Sequence, residues 1–315
     1  MIRSGLILSV CLAVSASVCF SQTTRPARTQ WPEAVGFISK DCSLKSNALS
    51  VFRIKKTRAY FELDLPMPSK IGRQLHIIKP ARPGVKPKLL LDLGKGTIGS
   101  PSASLDGKFI FTSMAPEGEA FYHIYKIPTD GSKPTRLTKG PFHDLDPAEL
   151  PDGRIVFSST RIGTFEEYHS SPSRGLFVMN GDGSDITPIT FTSIFDNEPK
   201  VMADGSIVFI RSDNFLERAK VETRLHAIRP DGTGGRSIAA ADRGAAYGAR
   251  LRKFGFGCPA PLPDGRVVAI TQKGLVPAAD PTGKPVGAGF LPYDLSPLPD
   301  GRLLCTSLGR RQVLL

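Results

Sequence analysis

The sequence predicts an all-β fold, a β-propeller of about six four-stranded antiparallel blades, on three observations. A motif recurs five times: a start residue, four spacers, Asp-Gly, then a short apolar run. The copies are Pro101 to Asp106-Gly107, Pro147 to Asp152-Gly153, Pro199 to Asp204-Gly205, Pro259 to Asp264-Gly265 and Leu295 to Asp300-Gly301. Their aspartates lie 46, 52, 60 and 36 positions apart, close to the length of one blade or one solenoid unit. No stretch after the N-terminal segment shows sustained helical periodicity, which favours blades over an α-solenoid.

Residues 146–190 read as one unit. Asp146-Pro147 begins a strand, because proline fixes its own φ and keeps the preceding residue out of the helical region. Pro151-Asp152-Gly153 is a tight turn, with glycine accepting positive φ. Arg154 to Ser158 is β-branched and aromatic, and Leu176 to Met179 is the next strand. Gly181-Asp182-Gly183 is a hairpin turn, and Ile186 to Thr190 alternates as an outer strand should. The order returns in Phe109–Thr112, Tyr122–Ile127 and Thr135–Thr138, and again in Ile207–Ile210, Leu225–Ile228 and Arg236–Ile238. Before these, Val35–Ser39 and Ala59–Leu63 are expected as the first two strands of an opening unit, and Leu75–Lys79 and Lys88–Leu93 as its last two. The final unit ends short of an outer strand, so the ring is expected either to borrow an N-terminal strand or to be incomplete at the C-terminus. Residues 272–292 carry Gly and Pro without period and read as a loop.

With 315 residues, 40% of them apolar, the chain can bury a large core, and its 31 Gly and 27 Pro fall short of a low-complexity composition. Arg3 followed by the apolar run Gly5 to Cys19, with small residues Cys19 and Ser21 before Gln22, reads as an export signal over residues 1–21. Residues 22–34 then form a flexible linker and 35–315 the propeller. The apolar run is too short to span a bilayer, no later run is long enough, and the expected location is periplasmic or secreted. Export permits disulfides; Cys42, Cys258 and Cys305 remain, so at most one internal bridge can form, and the spacing does not choose the pair. The net charge of +12 is scattered, with no basic helix or aromatic-interleaved stripe, so nucleic acid is not an expected partner.

Asp144–Arg161 (DLDPAELPDGRIVFSSTR) and Leu176–Thr190 (LFVMNGDGSDITPIT) resemble the WD-like repeat of TolB-type β-propellers. Asp196–Asp213, Arg224–Gly234 and Ala260–Val268 bring the resemblance closer to the middle propeller domain of hydrazine synthase alpha-subunit-like proteins. It covers roughly residues 70–310 and implies an exported propeller, often set in longer proteins with cytochrome modules. The chain departs from the haem enzymes, because it has no Cys-x-x-Cys-His run for covalent haem. Hydrazine synthesis and its haem ligands therefore do not carry over, and no cofactor is expected.

Candidate site residues fall into three groups. Long loops on one face are where propellers place recognition, which singles out Tyr168, His169, Arg174, Arg211, Asp213, Arg218 and Arg224; solvated loop polarity is the plain alternative. His143, Asp144, Asp146, Asp196 and Glu198 precede or open blade-starting strands, where a ring of carboxylates at a channel end could hold a cation or basic peptide. Bonding to backbone amides at strand starts is the structural alternative. His76, His123 and His226 share one position, second in the third strand of a unit, and form a weaker metal-ligand alternative to a packing role. The repeated Asp-Gly pairs, including the calcium-like Asn180, Asp182 and Asp185, read as hairpin chemistry, since no acidic residue closes an EF-type loop. No Gly-x-Ser-x-Gly elbow exists. The reading is a non-catalytic scaffold binding a protein, peptide or carbohydrate. The alternatives are a metal-assisted, polysaccharide-lyase-like enzyme or a haem-less redox-complex subunit. The oligomeric state is not legible.

Overall fold

In the computed structural model, the described residues are 16–19, 32–39, 54–57, 60–63, 71–82, 84–165, 172–212, 224–239, 257–271, 274–280, 292–298, 300–307 and 313–314. In chain order the strands are β1 (Ala16–Cys19), β2 (Ala34–Ser39), β3 (Ile54–Thr57), β4 (Tyr60–Leu63), β5 (Ile71–Gly72), β6 (Gln74–Ile78) and β7 (Lys88–Asp92). They continue as β8 (Thr97–Ala103), β9 (Phe109–Ala115), β10 (His123–Pro128), β11 (Thr135–Arg136), β12 (Asp144–Glu149), β13 (Ile155–Ser159), β14 (Gly175–Met179) and β15 (Thr187–Pro188). The last are β16 (Phe195–Val201), β17 (Ile207–Ser212), β18 (Arg224–Ile228), β19 (Arg236–Ser237), β20 (Gly257–Pro261), β21 (Val267–Thr271), β22 (Gly274–Pro277), β23 (Pro292–Pro297), β24 (Leu303–Ser307) and β25 (Val313–Leu314). One 3-10 turn, Thr160–Ile162, is the only helical element among the described residues.

These strands form antiparallel sheets in the orders β1-β2-β6-β7, β11-β10-β9-β8-β5, β12-β13-β14-β15, β16-β17-β18-β19, β20-β21-β22 and β23-β24-β25, and β3 and β4 make a separate hairpin. The inner strands touch in a closed ring, β1 to β8, β12, β16, β20, β23 and back to β1. The all-β propeller of antiparallel blades matches this arrangement.

Each neighbouring pair of sheets shares a core, which follows from strand alternation. Ile155 and Phe157 on β13 point toward the preceding sheet and pack with Phe111 and Ile124. Val156 between them points the other way and packs with Ile207 and Phe209. Burying one such side chain is worth about 1.5–3 kcal/mol, and a blade with two apolar faces obtains that only between two neighbours. The ring closes in the same currency. Val35 and Phe37 of the first sheet pack with Leu298 and Leu304 of the last.

Three expectations are corrected. Tyr60–Leu63 does not join the first blade; it pairs with Ile54–Thr57, while β2 pairs directly with β6. The opening strand of that blade is Ala16–Cys19, inside the apolar N-terminal run. Residues 272–292 are not wholly a loop, because Gly274–Pro277 pairs with β21. Among the described residues, closure uses packing rather than strand exchange: β25 pairs with β24, and β2 with β1 and β6. The last two sheets have three strands among the described residues, as the sequence led one to expect for the final unit.

Candidate functional site

Antiparallel meanders sort the connections between two ends of the ring. The Asp-Gly turns join first to second and third to fourth strands, so they all lie at one end. There each aspartate accepts from the amide two residues on, as in Asp152 Oδ1 from Arg154 N (3.1 Å) and Asp182 Oδ1 from Ser184 N (2.9 Å). Asn180 Nδ2 donates to Asp185 Oδ2 (2.6 Å), so the calcium-like trio is spent on its own hairpin. The opposite end, where the inner strands begin, carries the second-to-third-strand connections and the blade-to-blade crossings. Every described residue of the first two candidate groups lies there: His143, Asp144, Asp146, Arg174, Asp196, Glu198, Arg211 and Arg224.

One backbone device recurs at this end. Ser100, Asp146, Glu198 and Cys258 hold equivalent places in β8, β12, β16 and β20, each just before a proline and each at positive φ (50°, 54°, 50° and 47°). The register shifts across each of them, so each is a bulge in an inner strand. Left-handed backbone is unfavourable for side-chain-bearing residues and persists where surrounding bonds over-determine it. The bonds run from blade to blade. Ser100 Oγ donates to Asp146 Oδ1, Ser113 Oγ accepts from Asp146 N (3.1 Å), and Glu198 Oε2 accepts from Cys258 N (2.9 Å).

Two residues earlier, Asp144 and Asp196 are fully buried and paired with arginines from the ends of the second strands. Arg161 Nε donates to Asp144 Oδ1 (2.9 Å) and Nη2 to Oδ2 (2.8 Å), and Ser159 Oγ adds a bond of 2.6 Å. Arg211 binds Asp196 in the same forked way, at 2.7 and 2.8 Å. Burial by itself would raise the Asp144 carboxyl, but the close His123 ring, the Arg161 bonds and charge, and Ser159 outweigh it and hold it below the ordinary range. The Asp196 bond, against a smaller opposing effect of burial, raises Arg211 above the usual guanidinium value.

His123 is buried with Nδ1 3.5 Å from Asp144 Oδ2, too long for a full bond, and that nitrogen has no hydrogen-bond partner. His143 lies among Phe121, Tyr122, Arg174 and Asp144. Burial, then the Arg174 charge, push it down to about 4 against the pull of Asp144, so its ring is neutral at neutral pH and Nδ1 can accept from Tyr122 N (3.4 Å).

Arg174 is the most enclosed cation among the described residues. Its guanidinium stacks over Phe195 (5.3 Å), burial lowers its ionisation against the opposing charges of Asp146 and Glu198, and Nε has no hydrogen-bond partner. Its backbone clamps two blades: Arg174 N donates to Ile194 O (3.1 Å) and Arg174 O accepts from Asp196 N (3.0 Å).

The three strand histidines are not brought together. They sit on β6, β10 and β18 of different sheets: His76 stacks on Phe37 (5.2 Å) and bonds Ser39 Oγ (2.9 Å), His123 lies against Asp144, and His226 packs on Phe209 (5.8 Å). The described contacts of the three rings are thus packing contacts in separate parts of the ring. Among the described residues no three His, Cys, Asp or Glu side chains gather as cation ligands. Tyr168, His169, Asp213 and Arg218 lie outside the described residues. Cys258 and Cys305 lie in the cluster between the last two sheets, and Cys42 is outside the described residues.

Sequence reasoning missed Ser100 and Arg161. Ser100 was signalled by its Ser-Pro pair, aligned with Asp146-Pro147. Arg161 was signalled by its place at the end of the second strand, which Arg211 repeats.

No protein-family model matches the chain, and no curated protein matches it. Among solved structures, the chain is similar to hydrazine synthase of Kuenenia stuttgartiensis at 17% identity and a TM-score of 0.60, over 78% of this chain and 40% of that one. It is similar to a putative TolB from Agrobacterium tumefaciens at 16% identity and a TM-score of 0.52, over 96% of this chain and 79% of that one. A chain of the nidogen/laminin complex is matched at 12% identity and a TM-score of 0.51, over 77% and 89%. The chain thus spans well under half of the hydrazine synthase chain it matches. At these identities the likeness shows the fold alone, a β-propeller similar to those of the hydrazine synthase chain and of the putative TolB.

Proposed function

We propose that the chain is an exported, non-catalytic binding scaffold that takes a protein, peptide or carbohydrate partner at the end of the ring where the inner strands begin. One observation carries the reading: all the described loop and carboxylate candidates share that end, and the tight Asp-Gly turns occupy the other. The buried carboxylates support a scaffold rather than acid–base work. Asp144 and Asp196 are each held by a forked arginine, and Asp146 and Glu198 bind neighbouring blades. Rigid sheets beneath long loops are how propellers present recognition surfaces.

The binding test is capture of a partner from the exported fraction by the whole chain. Reversing charges at the loop end, with Lys139→Glu and Arg224→Glu, is expected to abolish capture. Reversing them at the turn end, with Lys108→Glu and Lys133→Glu, is expected to leave it intact. The opposite pattern would place recognition on the turn end and overturn the reading.

Export rests on the Arg3-led apolar run. No helix among the described residues is long and apolar enough to cross a membrane. Cleavage after Ser21 would remove β1, so leader and inner strand are alternative fates for residues 16–19. Mass spectrometry of the exported chain is expected to find Gln22 as its first residue; a chain that retains residues 16–19 would contradict the signal reading.

A further inference from the structure

The first blade is built differently from the others. Its inner strand, β1, comes from the apolar run that reads as an export leader, and cleavage after Ser21 would remove it. In the structure β1 lies antiparallel to β2, with Ala16 opposite Phe37, Ser17 opposite Gly36, Val18 opposite Val35 and Cys19 opposite Ala34. It also closes the ring, touching β8 of the second sheet on one side and β23 and β24 of the last sheet on the other. Taking it away leaves one edge of β2 without its strand partner, on the inner side of the ring.

That edge would keep its place. The other edge of β2 is paired with β6, from Val35 opposite Ile78 to Ser39 opposite Gln74. Val35 and Phe37 pack with Leu298 and Leu304 of the last sheet, and Ile38 packs with Ile98 and Ile110 of the second. None of these contacts involves β1, so the slot is formed in advance, which lowers the entropic cost of filling it. A flanked, open strand edge is a template for strand addition, because the N–H and C=O groups that faced β1 are left to pair in a place shielded from water.

We propose that the processed chain takes an extended strand of a partner polypeptide into the place of β1, antiparallel to β2; this rests on the leader reading above and narrows the partner to a polypeptide. The β2 edge needs a row of alternating donors and acceptors, which a polypeptide backbone supplies and a carbohydrate does not. The strand already seated there sets the side-chain chemistry. Ala16-Ser17-Val18-Cys19 is uncharged and made of small or β-branched residues, and the slot lies between the apolar clusters of the last and second sheets. The occupant is therefore an uncharged run of small and β-branched residues, since a charge taken into such a slot would lose its hydration unpaired. Residues 22–33, next in the chain, are a poor substitute in sequence. They hold Pro26 and Pro32, which cannot donate to a ladder, and the charges of Arg25, Arg28 and Glu33.

The test uses the chain purified from the exported fraction, with its first residue fixed by mass spectrometry. The probe is a fluorescein-labelled peptide of residues 14–21 with Cys19→Ser, which excludes thiol chemistry. The peptide is expected to bind a chain that begins at Gln22, to raise its melting temperature, and to slow hydrogen exchange at the β2 amides but not at those of β12. A peptide with Ser17→Pro and Val18→Pro is expected to bind at least about tenfold more weakly, because one of any two adjacent strand residues must donate to β2. A chain beginning at Gln22 that ignores the peptide, that binds both peptides equally, or that protects β2 while alone and monomeric would overturn the proposal and leave the leader reading standing. A dimer with protected β2 amides that the peptide dissociates would make a second copy the occupant and overturn the partner strand. A chain that retains residues 16–19 would overturn both readings, because its slot is filled by its own β1.

Discussion

Ser100 and Asp146 occupy the same bulged position in successive blades, and Ser100 Oγ donates to Asp146 Oδ1 across the interface between them. A repeat therefore binds its own next copy, and the left-handed backbone at each bulge is held by a bond that exists only when both blades are in place. Asp146→Ala removes a buried acceptor and is expected to cost about 2–3 kcal/mol, with Ser100→Ala costing less. A double-mutant cycle read by urea unfolding should show coupling of about 1 kcal/mol or more. Additive effects would mean that the two blades do not communicate through this bond.

The forked pairs make a second prediction. Arg161→Ala would leave Asp144 buried without its main partner, and is expected to cost about 3–5 kcal/mol. Arg161→Lys restores charge but not the fork, and should recover only part of the loss. The pH dependence follows from the lowered Asp144 carboxyl. The unfolded chain takes up its proton first, so the stability contributed by this group is full above the ordinary carboxylate range near 4 and is lost as pH falls through the folded-state value. Melting curves of Arg161→Ala should fall less steeply with acid than those of the parent chain.

His143 gives a separate pH window. Its value is lowered from 6.5 to about 4, so between those limits the unfolded chain binds the proton that the folded chain refuses. Its contribution is complete above pH 6.5 and declines as pH falls toward 4. His143→Gln keeps an acceptor for Tyr122 N and removes the titration, so its melting temperature should be flatter than the parent's across that window. Parallel curves would show that His143 titrates normally.

The repeat was legible because Asp-Gly turns require particular residue types: glycine takes the positive φ, and the aspartate closes on the amide two residues ahead. The strands between them were legible because Ile155–Ser159 and Ile207–Ser212 must face two cores, and so read as β-branched and aromatic. The opening blade was misread for a physical reason. The hairpin of Ile54–Thr57 and Tyr60–Leu63 has strand composition, and nothing local says that β2 skips it to pair with Gln74–Ile78. The loop end was legible as a set of residue types but not as a geometry. Asp144-x-Asp146-Pro147 and Asp196-x-Glu198-Pro199 stand out in sequence. That their partners are Arg161, Arg211, Ser100 and the Cys258 amide is a matter of which strands lie side by side, and the strand histidines diverge for the same reason.

Two turn glycines separate conformational strain from crowding. Gly153 and Gly183 both follow the aspartate of an Asp-Gly turn, at φ of 84° and 91°. An added Cβ at Gly153 meets nothing within 4 Å, so Gly153→Ala carries only the left-handed penalty of about 1–2 kcal/mol. At Gly183 the same Cβ would collide with the Leu137 carbonyl of the preceding blade. The turn closing the third blade therefore nests against the outer part of the second, and the rigid backbone there cannot yield as a side chain would. Gly183→Ala is expected to lower the denaturation midpoint clearly more than Gly153→Ala, by an amount that reports the fit between blades rather than the turn itself. Equal losses in urea melts would mean that the two blades are not in contact at this point.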